Sequence, residues 1–286
     1  MHMTGTSSGA QQNSCKVSCG KNVIAMAFRQ LLAVLVDLSG TIHIDDTEVS
    51  GSVQAVNRLK NSQLKVKFVT NTTKESKRLL LERLTKIGFS INSEEIFTSL
   101  TAARKLIDTK GLSPLMLLDD RALEEFKEVP QEKFDSVLVG LAPDKFNYSN
   151  MNEAFRLVLD GAPLIAIHKA RYYKTKEGLA LGPGPFVSAL EYSTGRQAEK
   201  VGKPESSFFL SAVEDLGVQP EHCVMIGDDA RDDIVGAMAS GMKGILVKTG
   251  KYRDGDEKYL PENGITVNSF SEAVDIVLND QSDDKT

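Results

Sequence analysis

Short, uninterrupted apolar runs alternate along this chain with segments of helical spacing, and that alternation restricts the fold more than any other feature. A run such as Ala33-Val34-Leu35-Val36 has no polar face, so a strand built from it must be covered on both sides, as the strands of parallel sheets are. Further strands are expected at 66–69, 96–98, 115–118, 136–139, 164–167, 198–201, 223–226, 244–247 and 265–267. Helical patterns fall between them, for example Val53, Val56 and Leu59, or Leu79, Leu80, Leu84 and Ile87. Strand and helix in turn spell an α/β protein.

With 286 residues, 41% of them hydrophobic, the chain has enough apolar material for a large core and a smaller companion domain. The expected architecture is a Rossmann-like parallel-sheet core in two parts, 29–111 and 191–280, with an inserted smaller α/β cap over 112–190. Lys110-Gly111 and the turn Gly182-Pro183-Gly184-Pro185 bound the insert. Residues 1–28 are rich in Ser, Thr, Gly and Gln without hydrophobic period and read as a disordered tail, as does 281–286. The N-terminal tail is also poor in acidic residues, so an organelle transit peptide is the alternative to a cytoplasmic address.

Three cysteines, Cys15, Cys19 and Cys223, form no even disulfide framework, which fits a reducing compartment. Cys15 and Cys19 lack nearby partners for a metal and read as unpaired thiols. No apolar stretch reaches the ~20 residues of a membrane span. A balance of 34 basic against 39 acidic residues, net −5, favours neither nucleic acid nor an anionic membrane as partner.

Open α/β sheets bind ligands at the carboxyl ends of their strands, so the residues that follow each apolar run carry the functional information. Four such ends are chemically distinctive: Asp37 with Ser39, Thr70 with Asn71 and Thr72, Lys203 in Gly202-Lys203-Pro204, and Asp228 with Asp233. Each has a plainer explanation when taken singly. Asp before Gly makes a strand-ending turn, Thr72 with Glu75 has the spacing of a helix capping box, a turn lysine is solvated, and carboxylates cap helices. Together they supply a nucleophile, donors for phosphoryl oxygens, a fixed positive charge and carboxylates for a hard cation. Those are the parts of phosphoryl transfer through an aspartyl-phosphate, with Mg²⁺ as the matching ion.

The set Asp37-Leu38-Ser39-Gly40-Thr41, Val69-Thr70-Asn71-Thr72, Gly202-Lys203-Pro204 and Gly227-Asp228-Asp229 with Asp233 resembles the four motifs of the haloacid dehalogenase superfamily. The position of the insert resembles that of its type IIA capped phosphatases. The resemblance implies that Asp37 attacks phosphorus, that Thr70, Asn71 and Thr72 hold the phosphoryl group, and that Lys203 neutralises both. It also implies metal ligation by Asp37, the Ser39 carbonyl, Asp228 and Asp233, a small phosphorylated substrate, and a homodimer formed through the cap. Most such phosphatases carry Asp where this chain has Ser39, and its carboxyl protonates the leaving oxygen. Serine keeps the carbonyl and loses the acid, which leaves a catalytically weak or inactive ligand-binding protein as the alternative. Within the insert, His168, Lys169 and Arg171 end a strand in a basic, aromatic cluster and are the expected cap contacts to substrate.

Overall fold

The computed structural model describes residues 30–175 and 178–282, so the N-terminal tail with Cys15 and Cys19, and the last four residues, lie outside the described residues. Strand β1 (Ala33–Asp37) leads into a tight hairpin, β2 (His43–Ile44) and β3 (Thr47–Glu48), then α1 (Ser52–Lys60) and β4 (Lys65–Thr70). Helix α2 (Lys77–Ile87), β5 (Ile96–Thr98) and α3 (Ser99–Lys110) complete the first part of the core. The insert follows as β6 (Pro114–Leu117), β7 (Ser136–Val139), α4 (Tyr148–Leu159), β8 (Leu164–Ala166), the hairpin β9 (Tyr172–Thr175) and β10 (Gly178–Leu181), α5 (Gly184–Thr194) and β11 (Glu199–Lys200). The chain returns to the core through α6 (Ser206–Glu214), β12 (Cys223–Gly227), α7 (Gly236–Ala239), β13 (Lys243–Val247), β14 (Ile265–Val267) and α8 (Phe270–Ser282).

The large sheet runs β14-β13-β12-β1-β4-β5, all parallel. Its central strand shows why the apolar runs are continuous. Ala33 and Leu35 enter the cluster that packs under α3 and α6, whereas Val34 and Val36 enter the opposite one under α1, α2 and α8. All four are fully buried. Register then aligns the strand ends: Asp37 sits opposite Val69 and Val36 opposite Ile226, so Asp37, Thr70 and Asp228 emerge side by side.

The smaller sheet, β11-β8-β7-β6, is parallel as well. One face buries Val137, Val139, Leu164 and Ala166 with Ala154, Val158, Val187 and Leu190 from α4 and α5. The other face joins the cluster shared with the core through Met116, Leu138 and Ile165. Two boundaries differ from expectation. Helix α5 and strand β11 belong to the small sheet, so the insert runs about ten residues past 190. Helix α2 starts at Ser76, whose hydroxyl accepts from the Leu79 amide at 3.4 Å, and not at Thr72. Glu75 is drawn off to Arg83 at 2.6 Å, which leaves 71–75 as a free loop at the sheet's end.

Phe208 on α6 lies edge-on to both Phe97 and Phe209, with centroids 5.2 and 5.6 Å away, and is fully buried beneath the sheet. Phe208→Ala removes that contact without a side chain able to refill the space. The expected loss is ~3–5 kcal/mol of unfolding free energy in urea denaturation. A loss below about 1 kcal/mol would contradict this packing.

Candidate active site

At the carboxyl end of the large sheet one ammonium is clamped between two carboxylates. Lys203 Nζ lies 2.6 Å from Asp37 Oδ1 and 2.6 Å from Asp233 Oδ1. Asp37, Lys203, Asp228 and Asp233 are all buried, with no more than 5% of any residue exposed. The Thr41 hydroxyl lies 3.1 Å from Asp37 Oδ2 and 3.3 Å from Asp228 Oδ1, bridging the two. Asp233 Oδ2 accepts the Asp229 amide at 3.1 Å, so both of its oxygens are committed to the protein.

The charges do not balance. Three carboxylates against one ammonium leave a formal −2 in a buried place. Burial pushes the Asp228 carboxyl well above the ordinary carboxylate range, and repulsion from Asp37 and Asp233 adds to it. Asp233 is raised for the same first reason, with Lys203 opposing. For Lys203, burial pulls down, but Asp233 and Asp37 more than offset it and the ammonium stays protonated. Ligand oxygens of Asp37, Asp228 and Asp233 lie within 4.8 Å of one another, a donor set of hard oxygens that fits a divalent cation.

Two glycines shape the space around Asp228. Gly40 has φ +100°, and a Cβ there would fall 2.1 Å from Asp228 Oδ2. Gly250 has φ +54°, and a Cβ there would fall 2.1 Å from the same oxygen. Only residues without a side chain fit at these two points. The loop that carries Gly250 is tied down on either side: Thr249 Oγ1 donates to Gly40 O at 2.6 Å and the Lys251 amide donates to Asp228 Oδ2 at 2.6 Å.

The residues expected to hold phosphate are partly assembled. Asn71 exchanges two hydrogen bonds of 2.9 Å with the backbone of Lys203, so it locks the lysine loop to the end of β4. Thr70 is buried and its hydroxyl oxygen accepts the Thr72 amide at 3.2 Å. The Thr72 carbonyl accepts from Ser99 Oγ at 3.3 Å. Ser39 is exposed, in contrast to the buried Leu38 and Gly40 beside it.

Of the three cap residues, one reaches this end of the sheet. The half-buried His168 contacts Thr73 Oγ1 at 3.4 Å, while its Nδ1 accepts the Ala170 amide at 3.3 Å. That pattern makes Nε2 the protonated nitrogen and donor to Thr73. The Leu141 amide donates to the same oxygen at 3.3 Å, so the Thr73 hydroxyl proton is left to donate elsewhere. Lys169 is a correction: its ammonium is held by Glu191 at 2.6 Å, and Glu191 also accepts the Ala198 amide, so this lysine ties β8 to α5. Arg171 is exposed, with Tyr172 as its ring contact at 5.8 Å.

Thr41, Thr73 and Lys251 were not anticipated. Lys251 follows the end of β13 just as the four expected groups follow other strands, and that position was the available signal.

The fold and this buried cluster are those of a phosphatase superfamily, and the comparisons agree. A haloacid dehalogenase-like hydrolase family model matches residues 34–130, and a HAD-hydrolase-like model matches 200–273. The chain belongs to the haloacid dehalogenase-like hydrolase family. It is 60% identical over 251 residues to haloacid dehalogenase-like hydrolase domain-containing protein 2 of Bos taurus, covering 87% of this chain and 97% of that one. It is 42% identical over 259 residues to phospholysine phosphohistidine inorganic pyrophosphate phosphatase of Xenopus laevis, covering 87% and 95%. Among solved structures, 4-nitrophenylphosphatase of Thermotoga maritima superposes with a TM-score of 0.80 at 23% identity, over 88% of this chain and 99% of that one. Glycerol phosphate phosphatase of Mycobacterium tuberculosis, solved in complex with magnesium, superposes with a TM-score of 0.76 at 25% identity, over 88% and 77%.

Burial, with Lys251 adding to it, lowers the His168 pKa from 6.5 to about 4. Between those values the unfolded chain takes up a proton that the folded ring refuses. The stability from this group is therefore fully present above about pH 6.5 and is lost as pH falls toward 4. The melting temperature of the wild type should fall over that interval more steeply than that of His168→Gln, measured by calorimetry at matched ionic strength. Parallel curves for the two proteins would show that His168 does not titrate in this way.

Proposed function

We propose that this protein is a Mg²⁺-dependent phosphatase of a small phosphorylated substrate, working through a phosphoryl-Asp37 intermediate. The observation that carries this reading is the buried Asp37-Lys203-Asp233 clamp with Asp228 beside it and a formal −2 left uncompensated. Asp37 and Asp228, with the Ser39 carbonyl, would hold the ion, and Asp233 would stand behind them holding Lys203. When bound, Mg²⁺ supplies the positive charge that offsets repulsion between the carboxylates and an anionic substrate.

The residues of the chain divide the remaining work. Lys203 and Thr41 hold the two oxygens of Asp37 in fixed directions, so the carboxylate meets phosphorus without first losing rotational freedom. An Asp37 oxygen forms the bond to phosphorus while the bond to the leaving oxygen breaks. Water then attacks phosphorus, releasing phosphate and restoring the carboxylate. Asn71 and Thr70 keep the lysine loop and the end of β4 in register through both steps.

Ser39 offers no carboxylic proton to the leaving oxygen. General acid assistance is typically worth ~10²- to 10⁴-fold, so alkyl monoesters should be poor substrates. Aryl phosphates, phosphoramidates and pyrophosphate have leaving groups that need less help. Among the described residues no helix is long and apolar enough to cross a membrane.

A Mg²⁺-dependent panel of aryl phosphate, phosphoramidate, pyrophosphate and alkyl phosphate, run on wild type, Asp37→Asn and Ser39→Asp, tests this. Asp37→Asn should abolish phosphate release. Ser39→Asp should raise turnover of alkyl monoesters by about tenfold or more. Phosphate release by Asp37→Asn at the wild-type rate would sink the mechanism. Ligand binding without turnover in the wild type, unchanged in Asp37→Asn, would establish the ligand-binding alternative that Ser39 motivates.

A further inference from the structure

The loop after β13 presents its backbone and its side chain to different places. Its backbone is fastened to Gly40 and Asp228, yet the Lys251 side chain is 67% exposed. Its nearest carboxylate is Asp229 Oδ2, at 3.5 Å, while Asp229 Oδ1 is occupied by the amides of Arg231 and Asp232. The charge of Lys251 acts on Asp229, Asp233, Asp228 and Asp37 in the core and on His168 of the cap. With its amide 2.6 Å from Asp228 Oδ2 and its Nζ 3.5 Å from Asp229 Oδ2, Lys251 stands at the exposed edge of the carboxylate cluster.

Three other described cations in or beside this region are engaged. Lys203 is clamped by two carboxylates, Lys74 lies 3.9 Å over the Tyr173 ring, and Lys169 is held by Glu191. His168 is neutral at ordinary pH, with both ring nitrogens used. Among the described residues the Lys251 ammonium has one long contact for three N–H donors, so it has the capacity to bind an anion beside the carboxylate cluster.

We propose that Lys251 is a specificity-determining residue, receiving a second anionic group at the far end of the phosphorylated substrate. This rests on Asp37 being the phosphoryl-transfer site and adds to it the class of substrate: a phosphoryl compound with a carboxylate or further phosphate a few bonds from the reacting phosphorus. The sequence points to the cap for such a contact, through Lys169 and Arg171; Lys169 is held by Glu191, whereas Lys251 adjoins the carboxylate cluster from the core.

Two phosphonates of equal length separate this from charge balancing. Propylphosphonate and 3-phosphonopropionate differ only in a terminal methyl or carboxylate, and their P–C bonds are not cleaved, so calorimetry in Mg²⁺ reads occupancy whether or not the protein turns over. The wild type should bind the carboxylate compound about tenfold tighter or better, as one charge-assisted hydrogen bond allows. Lys251→Met should reduce that ratio to within about threefold, and Lys251→Arg should keep most of it. A wild type without preference, or a ratio that survives in Lys251→Met, overturns the proposal. Equal weakening of both ligands overturns it too, since Lys251 would then only balance Asp229. Failure of both phosphonates to bind the wild type would remove the phosphoryl site itself, a failure distinct from loss of the preference alone.

Discussion

Everything at the active end of this protein depends on one ammonium shared by two carboxylates. A buried carboxylate without a partner is costly by several kcal/mol, and this fold buries three of them within a few ångströms. Lys203 serves Asp37 and Asp233 at once, and the backbone that carries it is pinned by Asn71 from another strand end. Parallel register supplies the rest. Because β1, β4 and β12 are aligned within a residue, groups separated by up to nearly two hundred positions emerge at one edge without long side chains having to reach for one another.

The same edge is where the insert is attached. The Gly202 amide donates to Ile167 O at 2.7 Å, so the end of a cap strand lies directly against the lysine loop. Thr73 takes hydrogen bonds from Leu141 and His168, and Lys74 stacks on Tyr173, all three from the insert. Residues 70–74 therefore do two jobs, holding the lysine loop on one side and gripping the cap on the other. Asn71, which holds the Lys203 backbone, is only two residues from Thr73, which holds the cap.

How far this was legible from the amino-acid sequence depended on whether local or tertiary forces decided each feature. The central strands were plain because burial on both faces demands continuous apolar residues, as Ala33 to Val36 show. Asp37, Lys203, Asp228 and Asp233 were plain because strand ends in open sheets are where chemistry collects. The start of α2 was not. Thr72 and Glu75 have capping-box spacing, but Arg83 claims Glu75 and the cap claims Thr73, so Ser76 becomes the cap instead. The strand at 198–201 was expected, but its exposed residues Glu199 and Lys200 carry no sign of which sheet they join, and pairing with β8 places them in the small one. Lys169 looked like an anion ligand because its partner, Glu191, lies 22 residues away on α5, and only the tertiary fold brings the two together.

Ser39 gives this site its character. Asp37 and Asp228 are buried and held on both oxygens, while Ser39 is exposed. In the proposed mechanism, a serine here in place of a carboxylic acid would separate two functions: activating the phosphorus and discharging the leaving group. The first depends on a dry, rigid cluster; the second can be left to water if the departing group is already stable as an anion. If Asp37 attacks phosphorus as proposed, the exposed Ser39 makes leaving-group acidity a determinant of what this site can cleave.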